Sequence, residues 1–372
     1  MPDNPASESS FHCRLWPGGS PQLRPASAAS LTIGDHTREP PPGRSPVRGG
    51  DAAHHPSSSA ATRLMARDKV IPNPVILDFN VERLERVTLE GPPALTERAH
   101  MSPYVWAAED GGYEILIRAR PRRQAACTDT GVIWHGRSKD GVHFIMTDRP
   151  AIMPGPDPID IGGCEDPTPV CMPDGSYVVY YTGVLDDLAT GQLLYATGPA
   201  IDRLQKKGIA LASSKSKGNT KEATVICAPS GRWRMFYEYA EDDHSVIGLA
   251  CGPDAAGPWK EGPEPFRPRE DSWDNWHLST GPMLTDDPDM PVMFYNGATR
   301  DARWRIGWVA FDRDCSHVVC RGIQPLLTPP PVEDRSATDI AFASSVIVED
   351  GRIWLYYSLK DAELARAELR RS

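Results

Sequence analysis

Five runs of apolar and aromatic residues recur along the chain at a nearly constant spacing. They are Tyr113-Glu114-Ile115-Leu116-Ile117, Tyr177-Val178-Val179-Tyr180-Tyr181, Trp233-Arg234-Met235-Phe236-Tyr237, Val292-Met293-Phe294-Tyr295-Asn296 and Trp354-Leu355-Tyr356-Tyr357-Ser358. Their first positions lie 64, 56, 59 and 62 residues apart. Aromatic and β-branched side chains fit a pleated, half-buried surface, so each run predicts a strand. A turn signal precedes every run: Asp110-Gly111-Gly112, Pro173-Asp174-Gly175, Pro229-Ser230-Gly231, Asp286-Asp287-Pro288-Asp289 and Glu349-Asp350-Gly351. Ahead of each turn lies another apolar segment, such as Thr168-Pro169-Val170-Cys171 or Ala223-Thr224-Val225-Ile226, which predicts hairpins. Third strands follow at Leu193-Leu194-Tyr195-Ala196, Val246-Ile247-Gly248-Leu249-Ala250 and Ile306-Gly307-Trp308-Val309-Ala310. Three or four antiparallel strands per unit, repeated five times with no helical period of similar length, predict an all-β chain folded as a five-bladed β-propeller. Tandem sandwiches are the alternative, but they do not require the same strand of every unit to open on polar residues.

Those polar openings carry the candidate chemistry. They read Arg98-Ala99-His100-Met101-Ser102, Gly163-Cys164-Glu165-Asp166, Asn219-Thr220-Lys221-Glu222, Trp276-His277-Leu278-Ser279-Thr280 and Thr338-Asp339-Ile340. In a propeller the first strand of each blade lines the central channel, so these residues are expected to converge on one funnel. Carboxylates, amides, hydroxyls and tryptophan together suit a polyhydroxylated, uncharged ligand, a sugar. The sharpest stretch is Ile161-Gly162-Gly163-Cys164-Glu165-Asp166-Pro167, two adjacent acids between a glycine pair and a proline. Glycine lets the backbone turn and proline fixes φ, so the acids are expected at the mouth of a strand.

Composition narrows the classes. The net charge of −10, with no lysine or arginine run, argues against a nucleic-acid groove or an anionic membrane surface as partner. No apolar stretch reaches the roughly 18 residues of a membrane span, and the first residues do not read as a secretory signal, so a cytoplasmic location is expected. Eight cysteines without C-x-x-C spacing read as reduced core residues. No metal-ligand spacing stands out, and neither a metal nor another cofactor is expected. Residues 1–64 hold ten prolines, six glycines and ten serines. Such a segment buries too little apolar area to offset chain entropy and reads as disordered, or as an extension ahead of a true start at Met65. Residues 65–372 are expected to form a single propeller domain.

Gly163-Cys164-Glu165-Asp166-Pro167, Leu116-Ile117-Arg118-Ala119, Lys221-Glu222-Ala223 and Tyr356-Tyr357-Ser358-Leu359-Lys360-Asp361, taken in blade order, resemble glycoside hydrolase family 130. That family consists of five-bladed propellers acting on mannosides, both phosphorylases and hydrolases, and the likeness runs over roughly residues 80–372. The resemblance implies that Asp166 is a general acid, that Asp361 holds the mannosyl unit, and that Arg118 lines the same funnel. Three departures from the phosphorylases are informative. Thr168 replaces the arginine of their Glu-Asp-Pro-Arg motif, Glu238 stands where Leu-His-Arg supplies a phosphate-binding arginine, and Asn296 replaces the histidine of Tyr-His-Gly. A carboxylate repels a phosphate dianion where an arginine fork would hold it. Water is therefore the expected nucleophile, and the expected activity is inverting hydrolysis of mannose-containing β-glycosides.

Inversion needs two carboxyl groups about 6.5–9.5 Å apart, with water between one of them and the sugar. Asp166 is assigned as the acid and Glu238 as the base, with Glu222 its nearest rival. Glu165, Lys221, His277, Asn296 and Ser102 join Asp361 and Arg118 as candidate substrate contacts. Each has a plainer reading: a turn cap for Asp166, a solvated strand face for Glu238, surface pairing with Lys221 or Lys217 for Glu222, and an interior histidine for His277. Partners are an oligosaccharide or glycoside substrate, with inorganic phosphate as co-substrate if the chain is a phosphorylase. In that alternative Lys221, Arg118 and Arg303 or Arg305 would bind phosphate. A non-catalytic carbohydrate-binding propeller is the third reading.

Overall fold

The computed structural model describes residues 77–122, 128–214, 217–330 and 339–372. Residues 1–64, read above as disordered or as an extension, lie outside the described residues, as do 65–76. The fold is all-β. In chain order it runs β1 (Phe79–Glu90), a single helical turn α1 (Pro93–Thr96), β2 (Ala99–Ala107), β3 (Tyr113–Arg120), β4 (Val132–Ser138) and β5 (His143–Met146). Next come β6 (Gly163–Cys171), β7 (Tyr177–Val184), β8 (Gly191–Gly198) and β9 (Gln205–Leu211), paired antiparallel in that order. The same order holds for β10 (Gly218–Cys227), β11 (Trp233–Glu241), β12 (His244–Gly252) and β13 (Lys260–Glu261). Seven short strands follow: β14 (His277–Ser279), β15 (Met283–Leu284), β16 (Val292–Met293), β17 (Asn296–Ala298), β18 (Trp304–Ile306), β19 (Val309–Phe311) and β20 (Val318–Arg321). The chain ends on β21 (Ala341–Glu349), β22 (Arg352–Leu359) and β23 (Glu363–Arg371).

The hairpins form at the expected turns, with Tyr113, Tyr177 and Trp233 opening β3, β7 and β11. The turn glycines Gly175 and Gly231 have φ of 78° and 79°, a conformation that costs residues with a Cβ about 1–2 kcal/mol. The fourth repeat departs from its expected continuous strands. Its ladder splits into β14-β17-β18 and β15-β16-β19-β20 around Gly281-Pro282, where proline has no N–H to donate and a Cβ on Gly281 would run into Phe294 O.

The amino-terminal strand completes the last group. β1 pairs antiparallel with β23 from Phe79↔Arg371 to Val87↔Leu364, and its far end pairs parallel with β5 at Thr88↔His143. This links β2–β5 and β21–β23 into one eight-stranded sheet. Phe79 is 4% exposed and meets Phe294 and Trp308 edge-on, at centroid distances of 5.1 and 5.7 Å. Burial of one such side chain contributes about 1.5–3 kcal/mol.

The core lies between successive groups. Leu116 and Ile133 pack with Val179 and Leu194; Tyr180 and Leu193 with Met235 and Tyr237; Phe236 and Ile247 with Leu278 and Tyr295. Phe294 and Ile306 pack with Leu355 and Tyr357, and Trp354 and Tyr356 with Ile115 and Trp134. Of the cysteines, Cys164 and Cys315 are buried, but Cys171 and Cys227 are exposed at the ends of β6 and β10, which corrects their reading as core residues. Among the described residues no helix is long and apolar enough to cross a membrane.

Candidate active site

The first strand of each group carries an irregularity at the same place. Register breaks fall between Met101 and Tyr104 in β2, Glu165 and Thr168 in β6, Lys221 and Ala223 in β10, and Ala343 and Ser345 in β21. In the fourth group the chain breaks between β14 and β15 instead. At three of these bulges a residue with a side chain takes a left-handed backbone: Ser102 (φ 53°), Asp166 (48°) and Glu222 (46°). A bulge bends the strand and re-aims the side chain it carries.

All three residues line one cavity, together with Pro167, Thr168, Ala223 and Thr224, with Thr280 and Gly281 from the break between β14 and β15, and with Phe342, Ala343 and Ser344 of β21. The cavity measures about 30 Å³, the room of a water or two rather than a sugar ring.

Two cations organise the carboxyl groups around it. Arg118 donates to Glu165 Oε1 at 2.5 Å and to Thr130 O, and its second terminal nitrogen stands 3.6 Å from Asp166 Oδ2. Ser102 Oγ donates to Asp166 Oδ1 at 2.5 Å. Lys221, opposite Glu238 in the β10–β11 ladder, sits 3.2 Å from Glu238 Oε1 and 3.8 Å from Glu222 Oε1. Glu222 Oε2 accepts from Ser279 Oγ at 2.6 Å, and Thr280 Oγ1 donates to Glu222 O at 2.8 Å.

The electrostatics follow from crowding like charges in a buried place. Burial, then Glu238 and Asp166, push the Glu222 carboxyl well above the usual range, against the pull of Lys221 and Ser279. Burial also raises Glu165, with Asp166 adding to the rise and Arg118 opposing it. Burial works against the charge on Lys221, but Glu238 and Glu222 outweigh it and raise its pKa.

Several sequence expectations need correcting here. Glu238 does not sit on a solvated strand face. It is 2% exposed, because β11 is an inner strand covered on both sides, and it is not among the cavity-lining residues. Its carboxylate pairs with Lys221, and Glu222 is the glutamate that lines the cavity. Glu222 itself pairs with Lys221 inside the site, whereas Lys217 pairs with Glu261. Asn296 is fully buried, and its two amide hydrogens go to Thr280 O (2.7 Å) and Ala343 O (3.2 Å). Its Oδ1 accepts from Ala343 N at 2.7 Å, so the side chain braces two strands rather than contacting a sugar.

His277 is also interior. It is stacked on Trp304, its Nδ1 accepts from Ser245 N, and burial pushes its pKa down to about 4, so it is neutral. Asp361 occupies the turn between β22 and β23 with φ 51°. It lines a neighbouring groove instead of the cavity, yet its charge reaches Arg118. Ser279 and Thr280, the hydroxyls that hold Glu222, were legible only as part of a polar strand opening.

No protein-family model and no curated sequence matches the chain. Solved structures do. The β-1,2-mannobiose phosphorylase of Listeria innocua, in complex with β-1,2-mannobiose, aligns at 17% identity and TM-score 0.62, over 77% of this chain and 90% of that one. A structure from the GH130 family of mannoside phosphorylases, which contains glycoside hydrolases that target β-1,2 mannosidic linkages in Candida mannan, aligns at 21% and 0.62, over 73% and 84%. A mannose phosphorylase of Leishmania mexicana, in complex with phosphate ion, aligns at 15% and 0.56, over 78% and 88%. The resemblance read from the motifs is thus met in three dimensions: the chain has the fold of mannoside phosphorylases and hydrolases of glycoside hydrolase family 130, as a divergent sequence.

Proposed function

We propose that the chain is an enzyme acting on glycosides, a divergent relative of the family 130 mannosidases, built as five blades around an axial shaft. Support for the five-bladed reading comes from the four-strand groups, the apolar seams between successive groups, and the pairing of β1 with β23. The substrate is a mannose-containing β-glycoside and the reaction is hydrolysis with inversion.

One observation carries this reading. Asp166 and Glu222, from different groups, are both aimed into one cavity by left-handed bulges and flanked by Arg118 and Lys221. The cavity is too narrow for a pyranose, so the sugar lies across its rim, above the two carboxyl groups. Asp166 protonates the departing glycosidic oxygen, with the Ser102 hydroxyl fixing its orientation. Glu222 takes a proton from water on the opposite face of the ring, once it is ionised. Glu238 and Ser279 set the position and charge of that base through Lys221 and through a direct hydrogen bond.

Phosphorolysis is the second reading, favoured by the two cations in the site. Incubating mannosides with and without inorganic phosphate separates the two. Free mannose without phosphate supports hydrolysis, whereas a sugar 1-phosphate formed only with phosphate replaces it. Binding without turnover in either buffer leaves a carbohydrate-binding module.

A further inference from the structure

A second cavity, of about 770 Å³, opens beside the shaft. It is walled by β1, the start of β2, the end of β3 and the β22–β23 turn. Its charge runs against that of the molecule. The chain carries −10 overall, yet Arg86, Arg98, Arg120, Arg122 and Lys360 line this groove against Asp361 and Glu363. Arg98 is neutralised by Asp129, at 2.8 and 3.0 Å, and Lys360 stands 3.7 Å from Glu363. Arg86 and Arg122 form no ion pair with a carboxylate among the described residues. The Arg122 guanidinium is held by two backbone carbonyls, Glu97 O at 3.0 Å and Thr96 O at 3.1 Å, which fix its direction without cancelling its charge.

The groove lies next to the site already described, on neighbouring residues of the same strand. His100 lines the groove and Ser102 lines the shaft, two residues or about 7 Å apart along one strand. Asp361 lines the groove and acts electrostatically on Arg118. A volume of this size takes a sugar ring with its substituents. A fixed guanidinium, Arg122, and an exposed one, Arg86, beside a carboxylate fit a ring carrying one anionic group and several hydroxyls: the guanidinium forks take the anion, the carboxylate accepts the hydroxyls.

We propose that this groove is a subsite for a negatively charged group on the glycoside, a carboxylate or phosphate ester on a sugar ring, held by Arg122 and Arg86. The inference rests on the glycosidase reading and narrows its substrates to acidic glycosides.

The test uses the full chain and two thio-linked mannosyl disaccharides, which resist turnover. They differ only in a carboxylate or a hydroxymethyl group on the second ring, and inorganic phosphate alone serves as the third ligand. Calorimetry is expected to show the acidic disaccharide binding at least tenfold more tightly at low salt, with the advantage shrinking as salt rises. Arg122→Gln should lower the acidic-to-neutral affinity ratio about tenfold, and Arg122→Lys should restore part of it. Equal affinities in the unaltered protein, or a ratio unmoved by both Arg122→Gln and Arg86→Gln, would overturn the proposal. So would inorganic phosphate binding as tightly as the acidic disaccharide, which would make the groove a separate anion site. Oxygen-linked versions of the disaccharides separate this failure from that of the activity. Turnover without acidic preference removes the subsite alone; Arg122-dependent binding without turnover in either buffer keeps the subsite and removes the glycosidase.

Discussion

Asp166→Asn is the substitution on which the proposed chemistry depends most directly. Asparagine tolerates a left-handed backbone as well as aspartate does, so the φ of 48° adds no new strain. Its Oδ1 continues to accept from Ser102, now 2.5 Å away. What disappears is the ion pair with Arg118 at 3.6 Å, between side chains 16% and 15% exposed. Arg118 keeps its closer partner Glu165, and removing the Asp166 charge also relieves its repulsion of Glu165 and Glu222, so loss and gain offset one another. The melting temperature should therefore move by no more than about 2–4 °C. Turnover should fall far more. Loss of a positioned general acid costs about 10²–10⁴-fold, or about 2.7–5.4 kcal/mol at 1.36 kcal/mol per tenfold. The assay follows mannose released from a mannosyl disaccharide, alongside an aryl mannoside whose leaving group needs little protonation. The disaccharide rate should collapse and the aryl rate should fall much less. A variant within threefold of the parent on the disaccharide, with an unchanged melting curve, would refute Asp166 as the acid.

Other outcomes follow from the same geometry. Glu222 holds its proton more tightly in the folded chain than in the unfolded one, so its stabilising contribution is complete below the ordinary glutamate range and is lost as pH rises through the raised value. Glu222→Gln should accordingly melt higher than the parent at neutral pH while turnover falls by orders of magnitude, and parallel melting and rate measurements across pH check both. If Glu222 is the base, the acidic limb of the pH–rate profile should lie above the ordinary carboxylate range, and a limb below it would exclude the assignment. Asn296→Ala strands buried carbonyls and an N–H on two strands, at about 1–3 kcal/mol for each group left unpaired; a fall in melting temperature with unchanged KM for the remaining folded enzyme would mark it as a brace. Phe79→Ala should cost about 3–5 kcal/mol and loosen β1 from β23, which hydrogen exchange over residues 79–90 would reveal.

The strands were legible because their signal is local. A turn glycine followed by an aromatic run specifies a hairpin within about a dozen residues, and β2/β3, β6/β7 and β10/β11 formed where that signal stood. Features set by distant partners were not legible. Nothing near Phe79 announces that its strand will pair with one ending at Arg371. Alternation placed Glu238 on a face shared with Arg234 and Phe236, but exposure depends on what covers the sheet, and here both faces are covered. The bulges escaped for a related reason. Ser102, Asp166 and Glu222 share no residue type, and a left-handed φ at a serine, an aspartate and a glutamate has no compositional mark. Their common property is position, one or two residues before the apolar part of each first strand. That position was visible in the sequence only as the opening of a repeat.

The bulged residues also bear on whether the site does more than bind. A shaft that needed only its shape could place glycine at each left-handed position and avoid a cost of about 1–2 kcal/mol per residue. Instead these positions carry a hydroxyl and two carboxyl groups, and burial, then the charges of Glu238 and Asp166, raise Glu222. Recognition of a neutral sugar would be served as well by amides, which hydrogen-bond hydroxyls without mutual repulsion. Lys221 and Arg118 compensate part of the repulsion but leave Glu165 and Glu222 still raised. Local strain and unrelieved charge at one spot are what a stability optimum would remove and what proton transfer requires. The same two features that weaken the fold there therefore favour catalysis over simple carbohydrate binding.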